Sequence, residues 1–353
     1  MITSILIADI SGMESGGRLV GHLPQVAKDY YGALSPYVEV KIAGQSKYGE
    51  YFSSEDLLVL PYAYKIEDKN RFLKIVHEVI NTRTVLKYNR DIVIFQSMAR
   101  NSITLLGILL TRSKSKIYLI QYYAKGKGHL GKVGNLVEKI LFWIAKPRIN
   151  GIICSMDMVG KSFDLPYYKI TDYIYSDYSR KKYTTSVVEY VYDFGIVGLM
   201  GPGKGLDEII YSFKGTQYKV VIAGRFFSND YYNKISHDKS ENITVINKYF
   251  SDSEYNDLIN SIQFMVMPYV NRSAEHSSGS FLDAIFKKKP VVCSNHPAFE
   301  IVAKYGLGYV YKEHISECFG KLESVEKYRE NIDRFIGGYG ERVKELLAFM
   351  DKH

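Results

Sequence analysis

Short apolar runs alternate with helical patterns along the whole sequence, in two series separated by a stretch that has neither. In the first series, 2–10 (ITSILIADI), 38–44 (VEVKIAG), 56–63 (DLLVLPYA), 91–97 (DIVIFQS), 116–122 (KIYLIQY) and 151–156 (GIICSM) have the length and composition of strands. Residues 17–34, 69–89, 101–112 and 132–146 carry helical spacing between them. Several of the runs are unbroken in Val, Ile and Leu, as strands covered on both faces are. This alternation predicts a mostly parallel, doubly wound α/β sheet. Residues 171–188 (TDYIYSDYSRKKYTTSVV) are polar and rich in tyrosine, and they read as a linker. The second series has strands over 191–200, 218–224, 243–249, 263–269, 290–294 and 308–312, with helices over 205–215, 252–262 and 279–288. The expectation is two Rossmann-like domains facing a cleft, 1–175 and 176–335. The tail, helical over 323–350 with a break at Gly337 and Gly338, places residues 336–353 as a C-terminal helix returning to the first domain. Ligands of open parallel sheets bind beyond the carboxyl ends of the strands, so the loops there are where chemistry is sought.

Composition narrows the function classes. Apolar residues at 46% and charged residues at 24% of 353 support real cores and exclude a disordered chain. No run of about 18 apolar residues is present, which excludes a spanning helix. The first residues hold Asp9 within the apolar run and have no basic flank, so they read as a buried strand and not as a signal peptide. Cys154, Cys293 and Cys318 are odd in number and widely spaced, which suits reduced core thiols in a cytoplasmic protein. The net charge of +8 favours anionic partners. It is concentrated in residues 111–150, where nine Lys or Arg face one acid, Glu138. No nucleic-acid recognition module accompanies that charge, so nucleic acid is not the expected partner. The 31 tyrosines form no repeat and read as compositional bias, with some rings available for sugar stacking.

The segment AEHSSGSFLDAIFKKKPVVCS (274–294) follows a predicted strand and opens a predicted helix with apolar Phe281, Leu282, Ile285 and Phe286. Ser278, Gly279 and Ser280 then fall at the helix N-terminus, where free amides and the helix dipole favour an anion. Asp283 lies about one turn into the helix, in reach of ribose hydroxyls, and Glu275 precedes the turn. The same serines serve equally well as plain helix caps. A second glycine-rich turn, GIVGLMGPGKGLDEII (195–210), joins strand to helix, with Gly201, Gly203 and Gly205 keeping it open and Lys204 offering a point charge to a phosphate. The spacing is not that of a P-loop.

These motifs resemble the donor site of retaining GT-B glycosyltransferases, family 4 in particular. That family carries a Glu, seven residues, a second Glu, Ala and a Gly-Lys-Pro-Val step into a strand; this chain carries Glu275, seven residues, Asp283, Ala284 and Lys289-Pro290-Val291-Val292. The second acid is shorter by one methylene. The likeness is specific in the second half and loose in the first. It implies that Glu275 contacts the transferred sugar, that amides near Ser278, Gly279 and Ser280 hold a pyrophosphate, and that Asp283 holds the ribose diol. It also implies that Lys204 binds the diphosphate. The family's Arg in that turn falls on Leu199, and Arg225, at the next strand end, is expected to replace its charge.

In the first half, the resemblance implies that the pair Gly16 and Gly17 opens the first helix beside donor phosphate and acceptor. Gln121 stands where many relatives place a His near the reacting sugar, and His129 follows in a loop on the acceptor side. No Asp-x-Asp metal motif is present, and the resemblance implies neither a metal nor another cofactor. Helix 132–146 has an apolar face of Val133, Leu136, Val137, Ile140, Leu141 and Ile144, with Phe142 and Trp143 off it and lysines around it. This pattern suits either an internal helix or one lying on an anionic membrane surface. The expectation is a glycosyltransferase moving a sugar from a nucleotide diphosphate sugar to a hydroxyl of a saccharide, lipid-linked, in surface polysaccharide or glycoconjugate synthesis, in the cytoplasm or on the inner membrane face. A non-catalytic GT-B partner subunit and a nucleotide-sugar epimerase remain the alternatives.

Overall fold

The computed structural model describes residues 2–15, 18–20, 23–65, 70–96, 101–125, 132–170, 189–269 and 278–353. The linker reading at 171–188 lies outside them. The chain forms two compact units, Met1–Tyr178 with Tyr339–His353, and Ser179–Gly338.

In the first unit the strands are β1 (Ser4–Ala8), β2 (Met13–Ser15), β3 (Arg18–Val20), β4 (Glu39–Gly44), β5 (Leu57–Val59), β6 (Tyr64–Lys65), β7 (Ile92–Gln96), β8 (Lys116–Gln121), β9 (Gly151–Cys154) and β10 (Tyr167–Lys169). Seven of these form one parallel sheet in the order β10-β9-β8-β7-β1-β4-β5. The central strands β1 and β7 are covered on both faces, which accounts for their unbroken apolar sequence. The helices are α1 (Leu23–Leu34), α2 (Arg71–Lys87), α3 (Asn101–Leu109), α4 (Lys132–Ala145) and α5 (Asp157–Lys161). The helix read over 17–34 begins only at Leu23. Before it, β2 pairs antiparallel with β3 and parallel with β6. A segment this rich in glycine is a poor helix former, and its backbone finds partners in a small ribbon instead.

The second unit has β11 (Tyr192–Val197), β12 (Val220–Gly224), β13 (Ile243–Asn247), β14 (Ile262–Met267), β15 (Val291–Ser294) and β16 (Gly308–Tyr311), all parallel in the order β13-β12-β11-β14-β15-β16. Its helices are α6 (Leu206–Phe213), α7 (Asn229–Asp238), α8 (Asp252–Asn260), α9 (Gly279–Phe286), α10 (Glu300–Tyr305) and α11 (Val325–Gly337). Helix α7 escaped the sequence reading because Ile235 is its one buried residue and it has no apolar stripe to recognise. Phe194 centres the core of this unit, with the rings of Phe213, Tyr218 and Phe264 packed 4.9–5.7 Å from it.

The last helix, α12 (Tyr339–Lys352), belongs to the first unit. Gly338 separates it from α11. Tyr118 Oη donates to Met350 O at 3.0 Å, Asn150 Nδ2 to His353 O at 2.9 Å and Tyr168 Oη to Arg342 O at 3.0 Å. Met350 O and His353 O lie at the C-terminal end of the helix, so Tyr118 and Asn150 satisfy carbonyls that this end leaves open. All three cysteines are free and buried, and burial pushes the Cys154 and Cys318 thiols up to about 12.

Candidate functional site

Three segments of the second unit converge at the carboxyl ends of β11, β12 and β14. The first leaves β11 through Gly198, whose φ of 121° is closed to most side chains. A Cβ there would stand 2.8 Å from Ser280 Oγ and 3.8 Å from Lys204 Nζ, so the glycine lets the turn meet the start of α9. The chain then makes a 3-10 turn, Pro202–Lys204, and Gly205 at φ 61° starts α6. A Cβ on Gly205 would collide with Pro268 O, which binds the turn closely to the end of β14. Gly201 lies under the ring of Phe227, with no room for a side chain.

Lys204 is the chemical centre of this arrangement. Its Nζ donates to Tyr269 Oη at 2.9 Å and sits 4.7 Å from that ring's centroid. Tyr269 Oη lies 2.8 Å from Ser278 Oγ, which also accepts from Phe281 N at 3.3 Å as the N-cap of α9. The serine therefore caps the helix and ties it to the lysine-bearing turn at once, which joins two readings that the sequence held apart. Among the described residues no carboxylate pairs with Lys204. A cation held by neutral hydroxyls beside a helix N-terminus has the chemistry that suits an anion. These residues, with Gly201, Gly203, Gly279 and Ser280, line a cavity of about 400 Å³.

Leu199 forms part of that cavity and of a second one, of about 430 Å³, lined by Gly224, Arg225, Lys248, Tyr249, Phe250 and Tyr255. Arg225 thus faces the second cavity, whereas Lys204 faces the first. Lys248 is paired with Glu254 at 2.7 Å. Tyr255 Oη donates to Asp283 Oδ2 at 2.9 Å. Burial first, then the charge of Asp283, push the phenol far above its usual range, so it stays a proton donor to that carboxylate. The two cavities, the helix start and the carboxylate form a continuous series of groups around Leu199.

The structure brings Lys204, Gly201, Ser278, Gly279 and Ser280 together at one cavity, and places Arg225 at the neighbouring one with Tyr255 leading to Asp283. Glu275, Gly16, Gly17 and His129 lie outside the described residues. Gln121, the last residue of β8, is buried in the first unit. The sequence reading missed Tyr269 and Tyr255, the two phenols that hold Lys204 and Asp283. Among the described residues no three His, Cys, Asp or Glu side chains gather as a metal site would require, and no helix is long and apolar enough to cross a membrane.

Helix α4 departs from the expected wheel. Phe142 points inward and packs 5.2 Å from the ring of Phe163, so it does not stand beside Trp143. Trp143 is 77% exposed, and Val133, Leu136, Val137, Ile140 and Ile144 are exposed as well.

No family model and no curated relative matches this sequence. Solved structures do match. A glycosyltransferase from Rickettsia africae superposes with a TM-score of 0.68 at 15% identity, covering 99% of this chain and 98% of that one. HepE from Anabaena, solved with UDP and glucose, gives 0.64 at 12% identity over 98% and 99%. AviGT4, a glycosyltransferase of avilamycin A biosynthesis, gives 0.63 at 11% identity over 99% and 97%. The chain has the two-unit, Rossmann-like GT-B fold that such glycosyltransferases share.

Proposed function

We propose that this chain is a glycosyltransferase that takes a sugar from a nucleoside diphosphate donor and places it on a saccharide hydroxyl. One observation carries the reading: Lys204, without a carboxylate partner among the described residues, faces a cavity with the N-terminus of α9. A diphosphate there gains a cation, helix amides and the Ser280 hydroxyl. As the bond from phosphate to sugar breaks, charge builds on the leaving oxygen, and groups already oriented towards it lower the barrier. Asp283, oriented by Tyr255, accepts from the ribose hydroxyls, and the second cavity takes the base between Arg225 and the aromatic rings. Glu275 contacts the transferred sugar. Gly17 approaches the donor phosphate and Gln121 the reacting sugar, while Gly16 and His129 belong to the acceptor side. A bound HepE neighbour holding UDP and glucose supports a nucleotide sugar as donor.

Retention follows from front-face attack: the acceptor oxygen forms the new bond on the side that the diphosphate leaves, and the leaving phosphate oxygen takes the acceptor proton. Charge neutralisation by Lys204 and the helix amides serves the diphosphate without a divalent ion.

The exposed face of α4 supports a lipid-linked acceptor. Six large apolar side chains meet water there, and Lys132 and Lys139 on the same helix are exposed. An anionic bilayer takes up the apolar side chains and attracts the lysines, holding the enzyme at the surface where glycolipids are extended.

Calorimetry with UDP and GDP tests the reading. One of the two should bind, and Lys204→Ala should weaken it. If neither binds, the chain is a partner subunit that kept the fold without the activity. If a matched donor is epimerised and not transferred, the enzyme is an epimerase.

A further inference from the structure

The first unit has a site of its own. Its chain lays down β1, adds β4 and β5 on one side, and then returns to add β7 to β10 on the other. The reversal lies between β1 and β7, and at such a switch point the connections leave in opposite directions and open a crevice at the carboxyl edge. Asp9 follows β1 and Gln96 ends β7. Ala8 is in register with Phe95, so Asp9 and Gln96, the next residue on each chain segment, lie side by side at the carboxyl edge.

Asp9 and Gln96 are both 1% exposed. Among the described residues Gln96 has no hydrogen-bond partner at either Oε1 or Nε2. Gln45, beyond the end of β4, likewise leaves Oε1 without one while its Nε2 donates to Gly12 O at 3.3 Å. Asp9 accepts from Tyr48 Oη at 2.6 Å and from Ser11 N at 3.2 Å, and no cation pairs with it among the described residues. A buried polar group without a partner costs about 1–3 kcal/mol, and a buried carboxylate without a cation costs more. Ordered water or a ligand completes such groups, and a polar ligand can displace the water.

The groups select the ligand. The amide of Gln96 offers both a donor and an acceptor, and the carboxyl of Asp9 offers acceptors. Hydroxyls, which donate and accept at once, satisfy both; phosphates and carboxylates are repelled by Asp9. We propose that Asp9 and Gln96 form a specificity-determining pair that takes adjacent hydroxyls of a neutral saccharide and rejects acidic ones. The identity of that saccharide as the acceptor rests on the glycosyltransferase reading; the binding chemistry does not. The overall positive charge of the protein would draw acidic saccharides in, so this discrimination belongs to the crevice alone.

The test is NMR and calorimetry with methyl hexopyranosides and myo-inositol as neutral probes and methyl glucuronide and glucose 6-phosphate as acidic ones. At least one neutral probe should bind and shift the side-chain amide resonances of Gln96, and the acidic probes should bind at least tenfold more weakly. Gln96→Leu should lose neutral binding by tenfold or more with an unchanged or raised Tm, since its amide contributes no bond. Asp9→Asn should narrow the difference between neutral and acidic probes. Binding of no neutral probe, equal binding of acidic ones to the native protein, or full binding by Gln96→Leu would overturn the proposal. UDP and GDP binding, measured in the same samples, reports on the second unit and separates failure of this pair from failure of the transferase reading.

Discussion

Lys204 and Tyr269 are joined by a 2.9 Å hydrogen bond in which the ammonium donates to a buried phenol oxygen. The bond orients the cation without neutralising it. A carboxylate in the place of the phenol would compete with an incoming diphosphate; the hydroxyl does not. Lys204→Ala should therefore lower transfer by about a hundredfold to a thousandfold, as loss of a charge-stabilising group typically does, while leaving the fold intact. Steady-state kinetics against a donor panel measures it, and unchanged turnover would remove Lys204 from the mechanism.

Tyr269→Phe keeps the ring and removes the hydroxyl that links Lys204 to Ser278. Lys204 stays in place as a charge but is no longer held. Loss of one hydrogen bond to a charged group is worth about 1.5–3 kcal/mol, which corresponds to a roughly tenfold to hundredfold drop in kcat/KM. Tyr269→Phe should thus fall between the native enzyme and Lys204→Ala, and the double variant should be no worse than Lys204→Ala alone. Additive losses would show that the two residues act separately.

How much of this was open to sequence reading depends on the type of contact. The parallel sheets were legible because buried strands write themselves as unbroken Val and Ile runs, and the glycine-rich turn was legible because its glycines and Lys204 lie together in sequence. Tyr269 and Tyr255 were not. Their partners are 65 and 28 residues away, and among 31 tyrosines neither stands out. The wheel of α4 gave an apolar face but not what covers it, and it misplaced Phe142, which turns inward. Asp9 registered only as a charge interrupting an apolar run. Its meaning lies in the strand beside it, since the pairing with β7 spans more than eighty residues of sequence.

Trp143 is the single tryptophan of the chain and is 77% exposed, so tryptophan emission, excited selectively beside the 31 tyrosines, reports on α4 alone. Anionic vesicles should shift its emission to the blue, zwitterionic vesicles should do so far less, and added salt should weaken the effect. Leu136→Ser with Ile140→Ser removes two exposed apolar side chains and keeps the reporter. Burial of each is worth about 1.5–3 kcal/mol, so vesicle binding should fall by well over tenfold with little change in Tm. Emission unmoved by any vesicle would rule out membrane contact through this helix.

Burial raises the Asp9 carboxyl from an ordinary 3.8 to about 6, against the opposing hydrogen bond from Tyr48. The folded protein therefore holds this proton more tightly than the unfolded chain. Below about pH 3.8 both states are protonated and Asp9 carries no ionisation penalty. Between about 3.8 and 6 the unfolded chain releases its proton first, so stability falls as pH rises, and above 6 the full penalty is present. A shift of that size is worth about 3 kcal/mol. Asp9→Asn keeps the shape and removes the titration. Denaturant unfolding of the first unit should show Asp9→Asn more stable than the native protein by about 2–3 kcal/mol at pH 8, with the gain shrinking towards zero near pH 4. A gain independent of pH would mean that ionisation of Asp9 is not what destabilises the native fold, and a loss at pH 8 would mean that the carboxylate is held there for stability and not for a ligand.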